Sequence, residues 1–171
     1  EADPAAAARR WVNALPTCRG WLEPDGPPGS SDPRARLLRL GYAGVPALRE
    51  ALSDEGFTRS ELRLDPDEYG DRTEWRIRRV RELALETLER IAHRDFRRGL
   101  PSDEAGWEQV RTTVAAWWAA FEAEGELGIF RRGVLARDGS SIAQARELVA
   151  RFPDAAPGIL REALEGATPS M

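Results

Sequence analysis

The sequence predicts an all-α protein built from antiparallel helical hairpins. Apolar residues recur every three or four positions in several stretches, most clearly in residues 104–124, as in amphipathic helices. Proline and glycine stand where these helices are expected to begin and end. No stretch shows the strict alternation typical of a half-buried strand, so we expect no sheet.

Length and composition indicate one globular domain over residues 1–171. The chain is 42% hydrophobic and 32% charged, which is typical of a soluble folded protein and does not indicate disorder. It contains no apolar run of the roughly 18 to 20 residues needed to cross a bilayer, so we expect no membrane insertion. The net charge of −4 disfavours nucleic acid as the main partner.

The two ends of the chain leave the compartment open. The chain begins at Glu1 and its single methionine is Met171, so we expect that a segment upstream was removed or omitted, such as an export signal or another domain. Cys18 is the only cysteine, which excludes a disulfide within these residues. Residues 167–171 are expected to fray.

The first third of the sequence predicts three helices. The first covers residues 5–15, and a loop rich in proline and glycine follows over residues 17–31. Asp32 and Pro33 then supply an N-cap and a first-turn proline for a helix over residues 34–40. Residues 46–54 form the next helix, so that these last two pair as an αα-hairpin.

Residues 55–73 show no sustained period and predict a long irregular loop, with a short turn at residues 61–64. A strong helix is expected over residues 74–93. Surface ion pairs are predicted four residues apart within it, Glu82 with Arg78 and Glu86 with Arg90. Its apolar face consists of Ile77, Val80, Ala84, Leu88 and Ile91.

The helix predicted over residues 104–124 carries three of the six tryptophans, and Ser102 is expected to cap it. Its apolar stripe is either core or a binding platform. Core is favoured, because exposing so many large side chains together would be a liability. Trp118 lies beside the centre line of the stripe, and whether it is covered stays open. The stripe consists of Trp107, Val110, Val114, Trp117, Trp118 and Phe121.

Three shorter helices complete the chain. Gly125 is expected to break the tryptophan helix before a helix over residues 127–136. The next, over residues 142–152, shows periodic apolar residues at Ile142, Ala145, Leu148 and Val149. The last covers residues 155–166, with Asp154 as its expected cap.

The pentapeptide LREAL occurs twice, at residues 48–52 and 160–164, each time shortly after a proline and at the second helix of a predicted hairpin. With these matches the chain resembles HEAT-type helical repeats over residues 34–54, 75–92 and 142–166. The resemblance implies a short α-solenoid of the HEAT or armadillo kind, whose members mostly act as scaffolds or protein-binding surfaces. The chain is also similar to uncharacterised bacterial HEAT-like proteins, from which no activity follows. The loop at residues 55–73 and the long tryptophan helix depart from the repeat length.

Candidate catalytic groups are few. His93 stands at a predicted helix end, where it favours an interaction with the helix dipole over catalysis. Cys18 lacks a recognisable nucleophile motif. The acidic run of residues 65–71 fails the EF-hand spacing, which favours a solvated loop over a cation site. We therefore predict no catalytic residue, no cofactor, no metal site and no enzymatic activity.

The first functional hypothesis is a non-enzymatic repeat domain for protein–protein interaction or scaffolding, with a protein partner of unknown identity. The alternatives are a nucleic-acid-binding repeat and, less favoured, an enzyme that uses carboxylates of residues 55–73. For the arginines the competing interpretation is a solvated face of ion pairs. The candidate partner-binding residues are Trp75, Arg76, Arg79, Trp118, Arg131 and Arg132.

Overall fold

The computed structural model describes residues 3–18, 31–64, 74–137 and 141–166, and the side chains of residues 61–64 and 74–75 lie outside that description. Residues 19–30 of the loop predicted over residues 17–31, the acidic run at residues 65–71 and the tail at residues 167–171 also lie outside the described residues. The described chain is mostly helical and falls into two compact units, which divide between Ala92 and His93.

The described part of the first unit contains four α-helices. Helix α1 packs against both α2 and α3, and α4 packs against the same two helices. The expected helix start at Asp32 is confirmed, since its carboxylate accepts a hydrogen bond from the backbone N–H of Arg34 at 2.8 Å. Asp3 caps α1 in the same way through Ala5. The helices are α1 (Pro4–Asn13), α2 (Pro33–Leu40), α3 (Val45–Ala51) and α4 (Val80–Ala92), with 3-10 turns at Leu15–Thr17 and Gly41–Gly44.

A two-stranded antiparallel sheet stands where the sequence predicted a loop and the start of a helix. Strand β1 (Phe57–Leu64) pairs with β2 (Glu74–Arg79), and Leu64 faces Glu74 in the register. The predictions that the chain has no strand, that residues 57–64 belong to an irregular loop with a short turn at residues 61–64, and that a helix begins at position 74 are therefore wrong. Trp75 and Ile77 alternate with arginines, and such residues favour a strand once a second strand supplies the pairing.

Because α4 begins at Val80 and not at residue 74, its apolar face and its ion pairs differ from those expected. Val80, Ala84, Leu88 and Ile91 are buried as predicted, whereas Ile77 is on the strand and 52% exposed. The pair of Glu86 with Arg90 is confirmed at 3.6 Å. The expected pair of Glu82 with Arg78 is absent from the ion pairs of the described residues, because the four-residue spacing rule does not apply across a strand–helix junction.

The second unit contains α5 (Glu104–Ala136), α6 (Ser141–Arg151) and α7 (Ala156–Glu165). Helix α5 packs against both α6 and α7. Asp103, and not Ser102, caps α5 by accepting a hydrogen bond from the N–H of Gly106 at 3.0 Å. Ala155 occupies the N-cap of α7 without a side-chain hydrogen bond, so the expected cap at Asp154 is wrong.

Gly125 divides α5 into two arms, residues 104–124 and 126–136. Its φ of 71° and ψ of −179° lie in a region that only glycine populates readily, which confirms the predicted break. The second arm contributes to a compact apolar cluster with α6 and α7. That cluster consists of Phe130, Val134, Leu148, Ala156 and Ile159.

The tryptophan stripe on the first arm is largely core, as predicted. Phe96 meets the ring of Trp117 edge-on, with ring centroids 5.4 Å apart. Trp118 is only 8% exposed and stacks on Phe121 at 4.9 Å, while Phe121 itself is half-buried. The fully covered members are Trp107, Val110, Val114, Trp117 and Trp118.

The two LREAL segments are buried differently. Leu52, in the first copy, is 1% exposed, whereas the equivalent Leu164 is 73% exposed. The expected apolar face of α6 is also partly wrong, because Leu148 is buried while Ile142 and Val149 are 71% and 49% exposed. The side of α6 that faces inward carries Gln144 together with Leu148.

Candidate functional site

The predicted partner-binding residues of the first unit are Trp75, Arg76 and Arg79, of which the Trp75 side chain lies outside the description. The guanidinium of Arg76 lies 2.9 Å from the carboxylate of Glu82, and that of Arg79 lies 2.9 Å from Glu55. Both of these candidate arginines therefore stand within ion pairs. This arrangement reduces the positive charge that a phosphate backbone would meet.

The arginines predicted in the second unit are also paired. Arg131 lies 2.8 Å from Glu162 of α7, and Arg132 pairs with Glu124 across the bend in α5. Surface pairs of this kind contribute little to stability, about 0 to 1 kcal/mol. Their main effect here is to place a carboxylate beside each arginine.

Trp118 is held by a hydrogen bond and by ring stacking, so its ring does not lie open on the surface. Its Nε1–H donates to Glu122 at 2.9 Å, one turn further along α5. Because Trp118 is 8% exposed and its ring stacks on Phe121, the side chain offers little area to a partner.

The sequence did not predict a cavity that lies within the second unit, between the two arms of α5 and the buried side of α6. Its volume is about 270 Å³, at or just below the lower end for sites that hold drug-sized ligands. Its walls combine polar and apolar groups. The lining residues are Arg94, Thr113, Ala116, Trp117, Ile129, Arg132, Gly133, Ala136 and Gln144.

Gln144 is the least expected residue of this cavity. It is 2% exposed, and its Oε1 has no hydrogen-bond partner among the described residues. A Cβ built on Gly133 would lie 1.4 Å from that oxygen, so glycine is required for α5 and Gln144 to approach this closely. The available sequence signal was a polar residue four positions before Leu148, on the same face of the helix.

His93 contacts α6 in the second unit. Its Nε2 lies 3.5 Å from the carboxylate of Glu147 and 3.5 Å from the guanidinium of Arg151. Burial lowers the pKa of His93 below its usual value, and Arg151 lowers it further, while Glu147 opposes the shift. The neutral imidazole is therefore favoured near pH 7.

Cys18 is buried beside the carboxylate of Asp32, with Sγ 3.8 Å from Oδ1. Burial, with the negative charge of Asp32, raises the pKa of this thiol to about 11. Because the thiolate is the reactive form, Cys18 is a poor nucleophile at neutral pH. Among residues that the structure describes, no group of three or more potential ligands is placed to hold a metal ion.

Comparison with family models, with curated proteins and with solved structures gives no match to this chain. The described helices include none long and apolar enough to cross a bilayer.

Proposed function

We propose that this chain is a non-enzymatic helical-repeat domain of the HEAT-like kind that binds another protein through α6. The observation that carries the proposal is the exposure of Ile142 and Val149, at 71% and 49%. These residues are seven positions apart and so lie on nearly the same face of the helix.

Helix α6 has two apolar sides, which is characteristic of an internal layer of a helical repeat. One side is buried with Leu148, and the other carries Ile142 and Val149. Each repeat of a solenoid contacts its neighbours on both sides, and a terminal repeat needs a polar outer face to stay soluble. An apolar outer face therefore favours a further helix packed against it, supplied by a partner protein.

The chemistry of α6 indicates what that partner helix would carry. Burying a Val or Ile side chain contributes about 1.5 to 3 kcal/mol, so two of them supply a useful but incomplete share of the binding energy. Arg146 is exposed and lies between the two apolar residues along the helix. Among the described residues, no carboxylate forms an ion pair with it. An amphipathic helix with an acidic residue beside its apolar stripe would complement this face.

The cysteine supports a structural role over a nucleophilic one. The raised pKa of Cys18 keeps its thiol protonated, and its sulfur contacts a carboxylate, which does not favour the thiolate.

The test compares two double variants of the full chain as bait in quantitative affinity capture. Ile142→Glu with Val149→Glu places charge on the proposed face. Ala143→Glu with Ala150→Glu makes the same change in charge at the same spacing, on exposed positions about 100° around the helix.

We expect proteins retained by the unaltered chain to be lost with the first bait and kept with the second. A retained protein should then bind the purified chain directly, with the same dependence on the two variant pairs. Equal retention by both variant baits, or retention of nothing above background, would contradict the proposal. Circular dichroism of each bait checks that it is folded.

A further inference from the structure

Residues 94–98, which we call the basic turn, precede α5 in the second unit and carry three arginines. The buried ring of Phe96 anchors this turn to the first arm of α5, because it meets the ring of Trp117 edge-on. Two of the arginines are half-buried against the helix, and the third is exposed. In chain order they are Arg94, Arg97 and Arg98.

The positive charge of the basic turn is not neutralised. Among the described residues, no carboxylate forms an ion pair with any of its three arginines. The one acid of the turn, Asp95, accepts a hydrogen bond from the backbone N–H of Arg97 at 3.0 Å. By contrast, a glutamate lies beside each of three other arginines of this unit, which are Arg111, Arg131 and Arg132.

Aromatic rings hold two arginines of the basic turn in place. The guanidinium carbon of Arg97 lies 4.6 Å from the ring centroid of Trp107, and that of Arg94 lies 5.8 Å from the ring centroid of Phe96. A stacked guanidinium keeps N–H groups along its edge, where they match the two oxygens of a carboxylate. Because the rings already restrain these side chains, less conformational entropy is lost when an anion binds.

The cavity of the second unit adjoins the basic turn, because Arg94 is one of its lining residues. Trp117 and Ile129 form buried parts of its wall, and the lining residues include no acid. Its volume of about 270 Å³ is small for a drug-sized ligand. The cavity therefore suits a single apolar side chain of a larger partner.

The surface beyond Arg97 limits how long a bound anion can be. At the start of α5 the side chains of Glu104 and Glu108 are 58% and 69% exposed, and both pair with Arg111. Two carboxylates thus face one guanidinium, and this negative charge opposes a long polyanion such as nucleic acid. The net charge of −4 acts in the same direction.

We propose that the basic turn and the adjoining cavity dock a short acidic segment of a partner protein. Carboxylates of that segment pair with Arg94 and Arg97, and an apolar side chain between them enters the cavity beside Trp117. This surface uses none of the residues of the α6 surface, so it is a second binding site and does not depend on the first.

The probe is a pentapeptide of four glutamates around a central leucine, with both ends blocked. It is titrated into the full chain at low ionic strength and followed by backbone amide NMR signals and by tryptophan fluorescence. One matched peptide has glutamine at every glutamate position, and the other has glycine in place of leucine. We expect saturable binding of the acidic leucine peptide, about tenfold tighter than that of either matched peptide.

A strand of five thymidine nucleotides tests the other class of anion, because its four phosphates match the four carboxylates of the peptide. We expect it to bind more weakly than the acidic leucine peptide. Both comparisons use the unaltered protein, so they remain decisive even if a variant fails to fold.

Variants then test the two stacked arginines. Arg94→Gln and Arg97→Gln should each weaken binding of the acidic leucine peptide by about fivefold. Arg161→Gln is the matched control, because it makes the same change in charge at an exposed position on α7. It should leave the affinity unchanged, and circular dichroism of each variant checks that it is folded.

No saturable binding of the acidic leucine peptide would overturn the proposal. So would equal binding of the glutamine peptide, tighter binding of the thymidine strand, or unchanged affinity in both folded arginine variants. Equal binding of the glycine peptide would overturn the part assigned to the cavity. None of these results bears on the surface of α6, so a failure here is distinguishable from a failure of the proposed interaction.

Discussion

Replacing Asp32 with alanine tests whether one carboxylate supports both a helix end and a buried arginine. Asp32 caps α2 through the N–H of Arg34 at 2.8 Å. It also accepts from Nε of Arg34 at 3.1 Å and from Nη2 at 2.7 Å. The Arg34 side chain is 0% exposed, whereas that of Asp32 is 25% exposed.

The expected cost has two parts. Loss of an N-cap costs about 1 kcal/mol, and breaking a buried ion pair costs about 3 to 5 kcal/mol. Because Asp32 keeps some contact with solvent, we take a total near the lower end, about 3 kcal/mol. That is a large share of the roughly 5 to 15 kcal/mol by which domains are stable.

Two further variants separate the parts. Asp32→Asn keeps the cap and removes the charge, so it should lose about 2 kcal/mol. Asp3→Ala removes the equivalent cap of α1, where the bond to Ala5 is exposed, and should lose only about 0.5 to 1 kcal/mol. The assay is urea unfolding followed by circular dichroism at 222 nm. Equal losses in Asp32→Ala and Asp3→Ala would refute the role assigned to the pair with Arg34.

The effect also depends on pH. Burial by itself raises the pKa of Asp32, but hydrogen bonds from Arg34 outweigh it and the pKa is lowered below 3.8. The stability that the carboxylate contributes is therefore complete above the unfolded pKa and is lost as pH falls through the folded pKa. The difference between the unaltered chain and Asp32→Ala should shrink in strong acid.

Three further predictions concern single residues. His93, the only histidine, should titrate by NMR below the ordinary histidine pKa of 6.5, mainly because burial disfavours the imidazolium. The free energy of unfolding linked to this group is complete above pH 6.5 and falls as the pH drops towards the folded pKa. A titration midpoint at or above 6.5 would contradict this. The Cys18 thiol, with a pKa of about 11, should react with a disulfide reagent at pH 8 far more slowly in the folded chain than in urea, and equal rates would show that it is accessible. Gly106→Ala should lower the midpoint of urea unfolding, because the new Cβ would lie 2.0 Å from the carbonyl oxygen of Pro101. Gly158→Ala is the control: its Cβ would meet nothing within 4 Å, so the variant should be neutral or more stable by up to about 1 kcal/mol.

Sequence patterns within a helix were enough to predict those helices whose start, end and buried side depend on neighbouring residues in the chain. The caps and prolines placed α2, and the stripe from Trp107 to Trp118 placed the first arm of α5 and its buried side. The break at Gly125 was also predicted, because sharp changes of direction within a helix usually occur at proline or glycine.

The sheet was missed because strand pairing is not local. Residues 74–79 are followed directly by a strong helical pattern, and their alternation is short, so the helix period was extended back over them. Pairing with β1, about twenty residues earlier, decides the outcome.

The candidate sites were missed for a different reason. Ile142 and Val149 fit a helical period together with Leu148, and the sequence alone does not tell which part of a broad apolar surface is covered. The cavity depends on how closely Gln144 approaches Gly133, which is a distance between two helices and not a property of either. The burial of Arg34 was equally hidden, since arginine is usually exposed.

The bend at Gly125 also determines how the second unit closes on itself. Nothing lies within 4 Å of the position that a Cβ would take there, so only the backbone conformation excludes other residues. A side chain at that position would favour a continuous α5, whose 33 residues would form a rod about 50 Å long. The second arm, which packs with α6 and α7, would then point away from the first arm. One residue without a side chain thus sets the direction of every helix that follows it in the second unit.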